Sequence, residues 1–525
     1  MLTFLDHLAS EAAIKWPERT AFVHKKTELS FEEFNQNVDT MARKFADLGL
    51  QKGDRVAIFL PKQHETVTAV FAASRANGVF VPVNSVLKAP QVKHILNDCD
   101  VNVLVTSSDR LKAIGEELKA CPALKHIVLV DKLPKTPYEE KDTHLASDIQ
   151  KSPIEPVYRV DNDVAAILYT SGSTGKPKGV VLSHRNLLAG AESVADYLNN
   201  TSDDVILALL PLSFDYGLSQ ITTSLLVGAK CILMDYFLAG DVVKTMATHK
   251  VTGLAAVPPL YQQLMKANWN EEATQAVRYF TNSGGAMPLV LLKNLRDTFS
   301  HASPFLMYGL TEAFRSTYLD PKDIDRKPGS MGKAIPNAQI MVINEQGQEC
   351  EAGEIGELVH RGPHVSLGYW NDEAKTAERF KPVPVKQEGL VLTEMAVWSG
   401  DQVKRDEEGF LFFVGRNDEM IKTSGYRVSP MEVEEACYQG AEEVAEAVAC
   451  GVNDNELGQA IVVLLVLKEG IDFDEKVMLA KIKKALPNFM HPKYLEIRSD
   501  LPRNPNGKVD RSNLAKEVRN KYAHG

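Results

Sequence analysis

Apolar residues recur with two different periods through about the first four hundred positions. The helical spacing of about 3.6 residues runs over residues 31–48 and over residues 65–77, and glycines at 49 and 78 end these patterns. Shorter apolar runs have the length of buried strands, at residues 55–59, 79–83 and 101–106. Alternation of this kind predicts an α/β fold class in which parallel sheets are covered by helices.

The pattern changes near the C-terminal end of the chain, after a composition shift over residues 415–429. Helices are predicted at residues 432–439 and 477–486, with strands at 444–451 and 459–467. These elements are enough for a small α+β domain of about a hundred residues, which is a common domain size. We therefore place the boundary at Asp418, giving domains of residues 1–417 and 418–525.

Length and charge narrow the class of protein. The chain has 525 residues, more than one hydrophobic core usually holds, so two or three domains are expected. Hydrophobic residues make up 44% and charged residues 24%, as in ordinary soluble proteins. The net charge of −10 argues against a nucleic-acid-binding protein, which needs a basic face to replace the counterions around phosphates.

Cysteine placement and hydropathy favour a cytoplasmic protein. The six cysteines are scattered without a Cys-x-x-Cys pair, which argues against a disulfide framework or a zinc cluster and for a reducing compartment. The first eight residues include an early acid and lack the long apolar run of a signal peptide. The longest apolar run, residues 460–467, is far shorter than the roughly 20 residues of a membrane helix and is predicted to be a buried strand.

One loop rich in glycine and hydroxyl side chains is the most informative stretch of the chain. A strand is predicted to end near Tyr169, a second to start at Gly179, and Ser183 to cap a helix that begins near Asn186. The loop between the strands consists of Thr170, Ser171, Gly172, Ser173, Thr174 and Gly175, followed by the cations Lys176 and Lys178. Its backbone N–H groups and hydroxyls can surround phosphate oxygens, and glycine allows a close approach.

Two other interpretations of this loop are open from its residues alone. The nucleotide-kinase phosphate loop requires G-x-x-x-x-G-K-[ST], whereas here Gly172 and Gly175 are too close and Pro177 follows Lys176. A flexible surface loop has the same composition. The order of further motifs along the chain favours phosphate binding.

The string from Tyr169 to Gly179, Tyr-Thr-Ser-Gly-Ser-Thr-Gly-Lys-Pro-Lys-Gly, closely resembles the signature of the adenylate-forming superfamily. That superfamily contains acyl-CoA synthetases, adenylation domains of peptide synthetases and firefly luciferase. The resemblance covers essentially all 525 residues. It implies a large N-terminal domain of parallel sheets layered with helices plus a distorted barrel, followed by a small mobile α+β domain.

Residues 305–318 and 503–508 look closest to stand-alone ligases of the exosortase-A-associated acyl-CoA ligase type. Stand-alone prolyl ligases that act on carrier proteins also look similar. Both resemblances imply an ATP-dependent ligase that activates a carboxylic acid and passes it to a thiol.

A second motif, Tyr308-Gly309-Leu310-Thr311-Glu312, resembles the superfamily's Y-G-x-T-E. The resemblance implies that Tyr308 stacks near the adenine, with Gly309 and Leu310 beside it in the nucleotide site. It implies that Thr311 contacts phosphate and that Glu312 holds Mg²⁺. Hydroxyl and carboxylate oxygens are the ligands that magnesium prefers.

Two later motifs resemble the superfamily's ribose and hinge segments. Asp401, in Trp398-Ser-Gly-Asp401, would accept hydrogen bonds from the ribose hydroxyls. Arg416 would approach ribose and phosphate, and Asp418 would be the hinge about which the small domain rotates. Residues 422–427 would then enter the site for the thiol step.

Lys508 matches the catalytic lysine of the resemblance, and Gly507 before it permits a tight turn. The enzyme must bring a carboxylate to the α-phosphorus of ATP although the two anions repel. A lysine at about 4 Å contributes roughly 4 kcal/mol at an effective dielectric constant of about 20. The catalytic set implied is Lys508, Thr311 and Glu312, with ATP and Mg²⁺ as cofactors and CoA or a phosphopantetheinyl carrier protein as acceptor.

The segment that contains Phe214 and Asp215 bears on the identity of the acid. It lies where acyl-CoA synthetases often have P-L-F-H-x-x-G, whereas amino-acid-activating domains have Phe-Asp there and pair the Asp with the substrate's α-ammonium. A carboxylate in a closed pocket requires a cation, which favours an amino acid, although an Asp can also bond its own turn. Gly284, Gly285 and Ala286 resemble the loop that lines the acyl pocket and touches adenine.

Three functions therefore remain open from the sequence. The first is an amino-acid ligase that loads an acyl or peptidyl carrier protein, and the second is an acyl-CoA synthetase for a small or medium carboxylic acid. The third is a nucleotide-binding regulator without catalysis, which the presence of the motif residues argues against. An oxygenase of the luciferase kind would have to show light emission or oxygen uptake.

Overall fold

Short buried strands alternate with helices through most of the chain, as the apolar pattern predicts. The computed structural model describes residues 2–134, 141–148, 153–154, 157–170, 177–385, 388–416, 419–423, 426–441, 443–454, 457–468, 474–504 and 507–522. The helices within these ranges are His7–Lys15 (α1), Phe31–Asp47 (α2), His64–Arg75 (α3), Ala89–Asp98 (α4), Ser108–Leu118 (α5), His184–Tyr197 (α6), Asp215–Val227 (α7), Ala239–His249 (α8), Pro258–Leu264 (α9), Glu271–Thr274 (α10), Leu289–Thr298 (α11), Glu373–Arg379 (α12), Pro430–Gly440 (α13), Glu475–Ala485 (α14) and Arg511–Lys521 (α15).

The strands within the same ranges are Thr20–His24 (β1), Thr27–Ser30 (β2), Arg55–Phe59 (β3), Val79–Pro82 (β4), Val101–Thr106 (β5), His126–Leu129 (β6), Asp142–Leu145 (β7), Val164–Thr170 (β8), Lys178–Ser183 (β9), Val205–Ala208 (β10), Lys230–Leu233 (β11), Gly253–Ala256 (β12), Tyr279–Asn282 (β13), Ser303–Tyr308 (β14), Thr317–Leu319 (β15), Lys333–Ala334 (β16), Gln339–Ile343 (β17), Ile355–Arg361 (β18), Phe380–Pro382 (β19), Met395–Arg405 (β20), Leu411–Arg416 (β21), Ile421–Thr423 (β22), Tyr426–Val428 (β23), Val444–Asp454 (β24), Gly458–Leu467 (β25) and Tyr494–Arg498 (β26). Several agree closely with the apolar pattern, including α2, β3, β5 and the pair β24 and β25.

Two mainly parallel sheets form the large part of the protein. One has nine strands in the order β16-β15-β14-β13-β12-β10-β11-β1-β2, and the other has seven in the order β7-β6-β5-β3-β4-β8-β9. Antiparallel pairing is confined to the ends of the two sheets: it involves the edge strands β2, β16 and β9, and β15, which lies next to β16. The predicted parallel sheets layered with helices are confirmed.

A single hydrophobic core lies between these two sheets. Helix α2 begins at Phe31 after a capping box between Ser30 and Glu33, and it buries Phe34 completely. The same core contains Phe22 from the nine-stranded sheet and Phe80 from the seven-stranded sheet. Full burial of one such side chain contributes about 1.5–3 kcal/mol, so this layer fixes the two sheets relative to each other.

The phosphate-loop region has the strand–loop–strand form that its sequence predicts. Strand β8 ends at Thr170, β9 starts at Lys178, and the two pair antiparallel. Ser183 caps α6 through a hydrogen bond from the Asn186 backbone N–H, but the helix starts at His184, two residues before the predicted start. The predicted phosphate-binding residues 171–175 lie outside the described residues.

A five-stranded antiparallel sheet forms a half-barrel after the large sheets. Its order is β17-β18-β20-β19, with β21 paired to β20. Register places Asp401 of β20 directly opposite Arg416 of β21. This sheet therefore brings two of the predicted nucleotide-binding residues together through local strand pairing.

The C-terminal part is a smaller α+β unit. Strands β24, β25 and β26 form a three-stranded sheet, with α13 and α14 packed on one face and α15 on the other. The predicted strand at residues 460–467 is the buried part of β25. Asp418 lies outside the described residues, so the boundary and hinge assigned to it remain a prediction.

The helices of the described residues do not include one that combines the length and the apolar character needed to cross a membrane. The apolar run at residues 460–467 forms part of strand β25.

Gly190 of α6 is expected to be essential for the packing of this part of the molecule. A Cβ atom at Gly190 would lie 2.2 Å from Cδ1 of the buried Phe314. Gly190→Ala should therefore displace the Phe314 ring and lower the free energy of unfolding by about 1–3 kcal/mol, the usual cost of overpacking. The measurement is the urea unfolding midpoint.

Gly240→Ala in α8 is the matched control, because a Cβ there meets nothing within 4 Å. That substitution should be neutral or slightly stabilising, since alanine favours helix by up to about 1 kcal/mol over glycine. Equal midpoints for the two variants would contradict the packing assignment.

Candidate active site

Lys508 of the C-terminal unit extends into the carboxyl edge of the nine-stranded sheet. Its turn is closed by Asn504, whose side-chain oxygen accepts from the Lys508 backbone N–H at 3.1 Å, and Gly507 has the positive φ of 79° that the turn requires. The ammonium lies 5.0 Å from the centre of the Phe214 ring. A Cβ at Gly284 would lie 2.7 Å from Lys508 Cε, so a glycine there makes room for the lysine.

Four residues near Lys508 follow the carboxyl ends of parallel strands. Phe214 and Asp215 follow β10, Gly284 follows β13, and Thr311 follows β14. In open α/β sheets ligands bind at this edge, where the loops after the strands converge. The sheet thus brings together residues that are widely separated in the sequence.

Asp215 is held by a buried cation from the protein itself. The carboxylate, 3% exposed, begins α7, and its Oδ2 accepts a hydrogen bond from Nη1 of Arg315 at 2.8 Å. Its Oδ1 accepts from the Thr311 hydroxyl at 3.3 Å. The sequence predicts a substrate cation for this carboxylate; the structure shows that Arg315 already supplies one.

Tyr308, Asp401 and Arg416 form a second group beside the first. The Tyr308 hydroxyl donates to Asp401 Oδ2 at 2.5 Å, and Arg416 Nε donates to Asp401 Oδ1 at 3.1 Å. Burial, together with the Asp401 charge, raises the pKa of the Tyr308 hydroxyl well above its usual value, so it remains a donor. Asp401 is therefore oriented by two partners.

Tyr369 lies next to both Glu312 and Lys178. The Tyr369 hydroxyl donates to Glu312 Oε1 at 2.5 Å, and Lys178 Nζ lies 5.8 Å from the centre of the same ring. The Thr311 hydroxyl and the Glu312 carboxylate form an oxygen donor set, which fits the preference of Mg²⁺. Thr170 is half-buried at the end of β8, which belongs to the seven-stranded sheet.

The remaining predicted residues surround these groups. Gly285 and Ala286 are exposed on the loop after β13, and the Gly285 carbonyl accepts from Asn282 Nδ2 at 3.1 Å. Gly309 packs tightly, since a Cβ there would lie 3.2 Å from the Arg315 Cα atom. Leu310 joins a small apolar cluster around Phe380.

Arg315 and Tyr369 are the site residues that the sequence motifs did not indicate. Arg315 is 1% exposed although arginine is almost never fully buried without a partner. A signal for it was present, because a buried Asp215 requires a cation and Arg315 follows the Y-G-x-T-E string by three residues. Tyr369 had no comparable signal, since it meets Glu312 only in the folded chain.

Burial and the charges around Lys508 together shift the pKa of its ammonium group. Burial lowers the pKa of the Lys508 ammonium from its usual value, although the nearby Asp215 and Asp401 carboxylates oppose the shift. Arg416 and Arg315 lower it further by repulsion. The cationic form is therefore lost at a lower pH than for an exposed lysine.

Comparison with known proteins indicates the same kind of enzyme over most of the chain. The family model for AMP-binding enzymes matches residues 9–370, and the family model for the AMP-binding enzyme C-terminal domain matches residues 432–508. A long-chain-fatty-acid–CoA ligase of Bacillus subtilis (strain 168) is 28% identical over 98% of this chain and 94% of that protein. Syringomycin synthase SyrB1 of Pseudomonas syringae pv. syringae is 29% identical over 97% of this chain and 81% of that protein. The ATP-bound structure of MatB from Rhodopseudomonas palustris superposes with a TM-score of 0.85 at 26% identity, covering 98% of this chain and 99% of that one.

The lowered pKa of Lys508 predicts an alkaline limit for adenylate formation. ATP–pyrophosphate exchange should fall as pH rises through this pKa, below the usual value of 10.5, because only the ammonium form attracts the two anions. Lys508→Arg should move the fall to higher pH, since a guanidinium stays charged throughout this range. An unchanged alkaline limb in Lys508→Arg would contradict the assignment of that limb to Lys508.

Proposed function

Since this chain belongs to the AMP-binding enzyme family, we propose that it adenylates an amino acid with the help of Lys508 and transfers it to the phosphopantetheine thiol of a carrier protein. The general activity of the family is that of an ATP-using ligase, which forms an acyl-adenylate and joins the acid to a thiol. The observation that carries the proposal is the entry of Lys508 between Gly284 and Phe214, beside Asp215.

In the first half-reaction a carboxylate oxygen of the acid attacks the α-phosphorus of ATP. The bond from that phosphorus to the bridging oxygen breaks, and pyrophosphate leaves. Lys508 lies between the two anions and reduces their repulsion as charge shifts to the leaving group. Mg²⁺ held by Glu312 and phosphate would neutralise charge on the pyrophosphate when it is bound.

We assign the positioning of the nucleotide to Asp401 and to the phosphate-loop residues. Asp401, fixed by Tyr308 and Arg416, accepts from the ribose hydroxyls. Thr170 and Lys178 hold the phosphates, together with Ser171, Gly172, Ser173, Thr174 and Gly175. Precise orientation of two reactants supplies a large part of the rate in such a transfer.

The second half-reaction joins the acyl group to the thiol. The sulfur attacks the acyl carbon, the bond from that carbon to the AMP oxygen breaks, and AMP leaves. We assign the change between the two steps to rotation of the small domain about Asp418, which withdraws Lys508 and brings in residues 422–427.

Asp215 favours an amino acid through its position. Its Oδ1 receives only the 3.3 Å contact from Thr311 among the described residues, so it retains the capacity to accept from an α-ammonium. An α-ammonium is one carbon away from the reacting carboxylate, and Asp215 lies next to Lys508, which binds that carboxylate. The charge argument is weaker than the sequence predicts, because Arg315 neutralises Asp215.

An acyl-CoA synthetase for a small or medium carboxylic acid is the second candidate. The specific observation in its favour is the same ion pair, which leaves the pocket neutral without any substrate ammonium. In that case CoA replaces the carrier protein as acceptor.

Lys508→Ala should lower pyrophosphate exchange by a factor of about 100–1000, the usual effect of removing one group that stabilises developing charge. The transfer of preformed acyl-AMP to a thiol should stay near the wild-type rate, because the lysine is withdrawn in that step. Lys516→Ala, an exposed lysine on α15, is the matched control and should change neither rate. Exchange at the wild-type rate in Lys508→Ala would falsify the role of this residue.

The substrate class is tested by pyrophosphate exchange with pairs of acids that differ only in the α-amino group. The amino acid of each pair should be preferred by at least about tenfold, and Asp215→Asn should remove most of that preference because a carboxylate binds an ammonium more strongly than an amide does. Activity confined to acids without the amino group would exclude the role given to Asp215 and select the second candidate.

A further inference from the structure

A buried cavity lies behind the Asp215–Arg315 ion pair. It is small, with a volume of about 30 Å³. Its walls come from α6, α7, the strands β10 and β12–β14, and the turn that carries Arg315, and they include Tyr216, Gln220, Thr223 and Met307. The cavity thus lies within the core of the nine-stranded sheet, with Arg315 on its wall.

The hydrogen bonds that Arg315 donates to Asp215 and to the Phe314 carbonyl involve only one of its guanidinium nitrogens. These two hydrogen bonds leave Nη1, one to Asp215 Oδ2 and one to the Phe314 carbonyl, each at 2.8 Å. The buried Tyr197 hydroxyl also lies close to the guanidinium. Nε and Nη2 make no hydrogen bond of standard geometry to the described residues, although both atoms are buried. These two nitrogens form the side edge of the guanidinium, whose parallel N–H groups match the two oxygens of a carboxylate.

The surroundings of this edge keep it in place. The Arg315 guanidinium carbon lies 4.7 Å from the centre of the Tyr216 ring, which holds its plane. Arg315 is the one charged side chain among the described residues that line the cavity. Buried N–H groups of a cation that remain unpaired destabilise the protein, so a ligand that satisfies them binds more tightly.

Three other polar atoms on the cavity wall are also unpartnered among the described residues. They are Asn200 Oδ1, Gln220 Oε1 and Thr223 Oγ1. An apolar acyl chain would leave all of them and the guanidinium edge unsatisfied. The wall therefore selects against a fatty acid. The Thr223 hydroxyl can donate to a carboxylate, whereas the two amide oxygens accept and require a donor, such as water or a substrate N–H.

We propose that Arg315 binds a second carboxylate at the far end of the substrate, so that the acid activated here is a short dicarboxylic acid or an acidic amino acid. This inference rests on the proposed function, in which Lys508 binds the reacting carboxylate. Arg315 contacts Asp215, and the Lys508 ammonium lies 5.0 Å from the ring of the preceding residue, Phe214, which limits the chain between the two carboxylates to a few carbons.

The experiment compares acids that differ only in the charge of the far group, on the wild-type enzyme. The probes are succinate against its monoamide succinamate, and aspartate against asparagine, with glutarate and malonate to vary the length. In pyrophosphate exchange the better dicarboxylic acid should exceed its monoamide by about 100-fold in kcat/KM, because a site built around buried donors rejects an analogue that leaves them unpaired. Without ATP, the same acid should raise the Tm and its monoamide should not.

Arg315→Lys is the informative variant, because it keeps a cation for Asp215 but loses the two-nitrogen edge. It should fold and should reduce the preference for the dicarboxylic acid to less than about tenfold. Arg159→Lys is the matched control: Arg159 forms a comparable buried pair with Asp6 at 3.0 Å, away from the cavity, and its variant should keep the full preference.

The outcomes separate this inference from the proposed function. Exchange that is equal for acids and monoamides overturns the role of Arg315 while adenylation stands. A rise in Tm that sodium chloride reproduces at the same ionic strength shows that the guanidinium edge holds a small inorganic anion, and this also overturns it. Absence of exchange with every acid rejects the proposed function itself.

Discussion

The buried ion pair between Asp215 and Arg315 holds together the substrate end of the site. Transferring each charge out of water costs several kcal/mol, so the pair persists only because its geometry is close and both partners are fixed. Asp215 begins α7, and Arg315 follows the short turn after β14. Their 2.8 Å contact therefore fixes a helix N-terminus against the loop that carries Thr311 and Glu312. Removing either partner alone would leave an uncompensated charge inside the sheet edge.

The backbone next to this pair is under strain that the packing must compensate. Phe314 has φ of 55° and ψ of −52°, a conformation that residues with a side chain rarely adopt. Such conformations cost of the order of 1–3 kcal/mol and persist where the surroundings fix them. The Phe314 ring is buried against Gly190, where a Cβ atom would lie 2.2 Å from Cδ1 of the ring. Close packing of this ring therefore helps to hold the unusual backbone next to Arg315.

Local features of the sequence predicted the fold better than they predicted the contacts of the site. The apolar period located α2 and β3, and the Ser183–Asn186 cap could be seen directly in the sequence, because each depends on residues a few positions apart. The bond from Tyr308 to Asp401 joins residues 93 positions apart, and the bond from Arg315 to Asp215 joins residues 100 apart. Such pairings depend on how the sheets and loops pack, and neither apolar period nor motif spacing contains that information. The resemblance named the residues of the site, but it did not indicate that Asp215 already has a partner.

Under the proposed mechanism, the position of Lys508 requires the site to take two arrangements. The lysine occupies the space above Gly284, where a Cβ would lie 2.7 Å from Lys508 Cε. A thiol approaching the acyl carbon needs part of that space once the adenylate has formed. The C-terminal unit is held to the large unit partly by polar contacts, such as the hydrogen bond from Gln262 Nε2 to the Ala445 carbonyl at 3.2 Å. Contacts of this kind can be exchanged for bonds to water at little net cost, so the lysine that is needed for the first step can leave before the second.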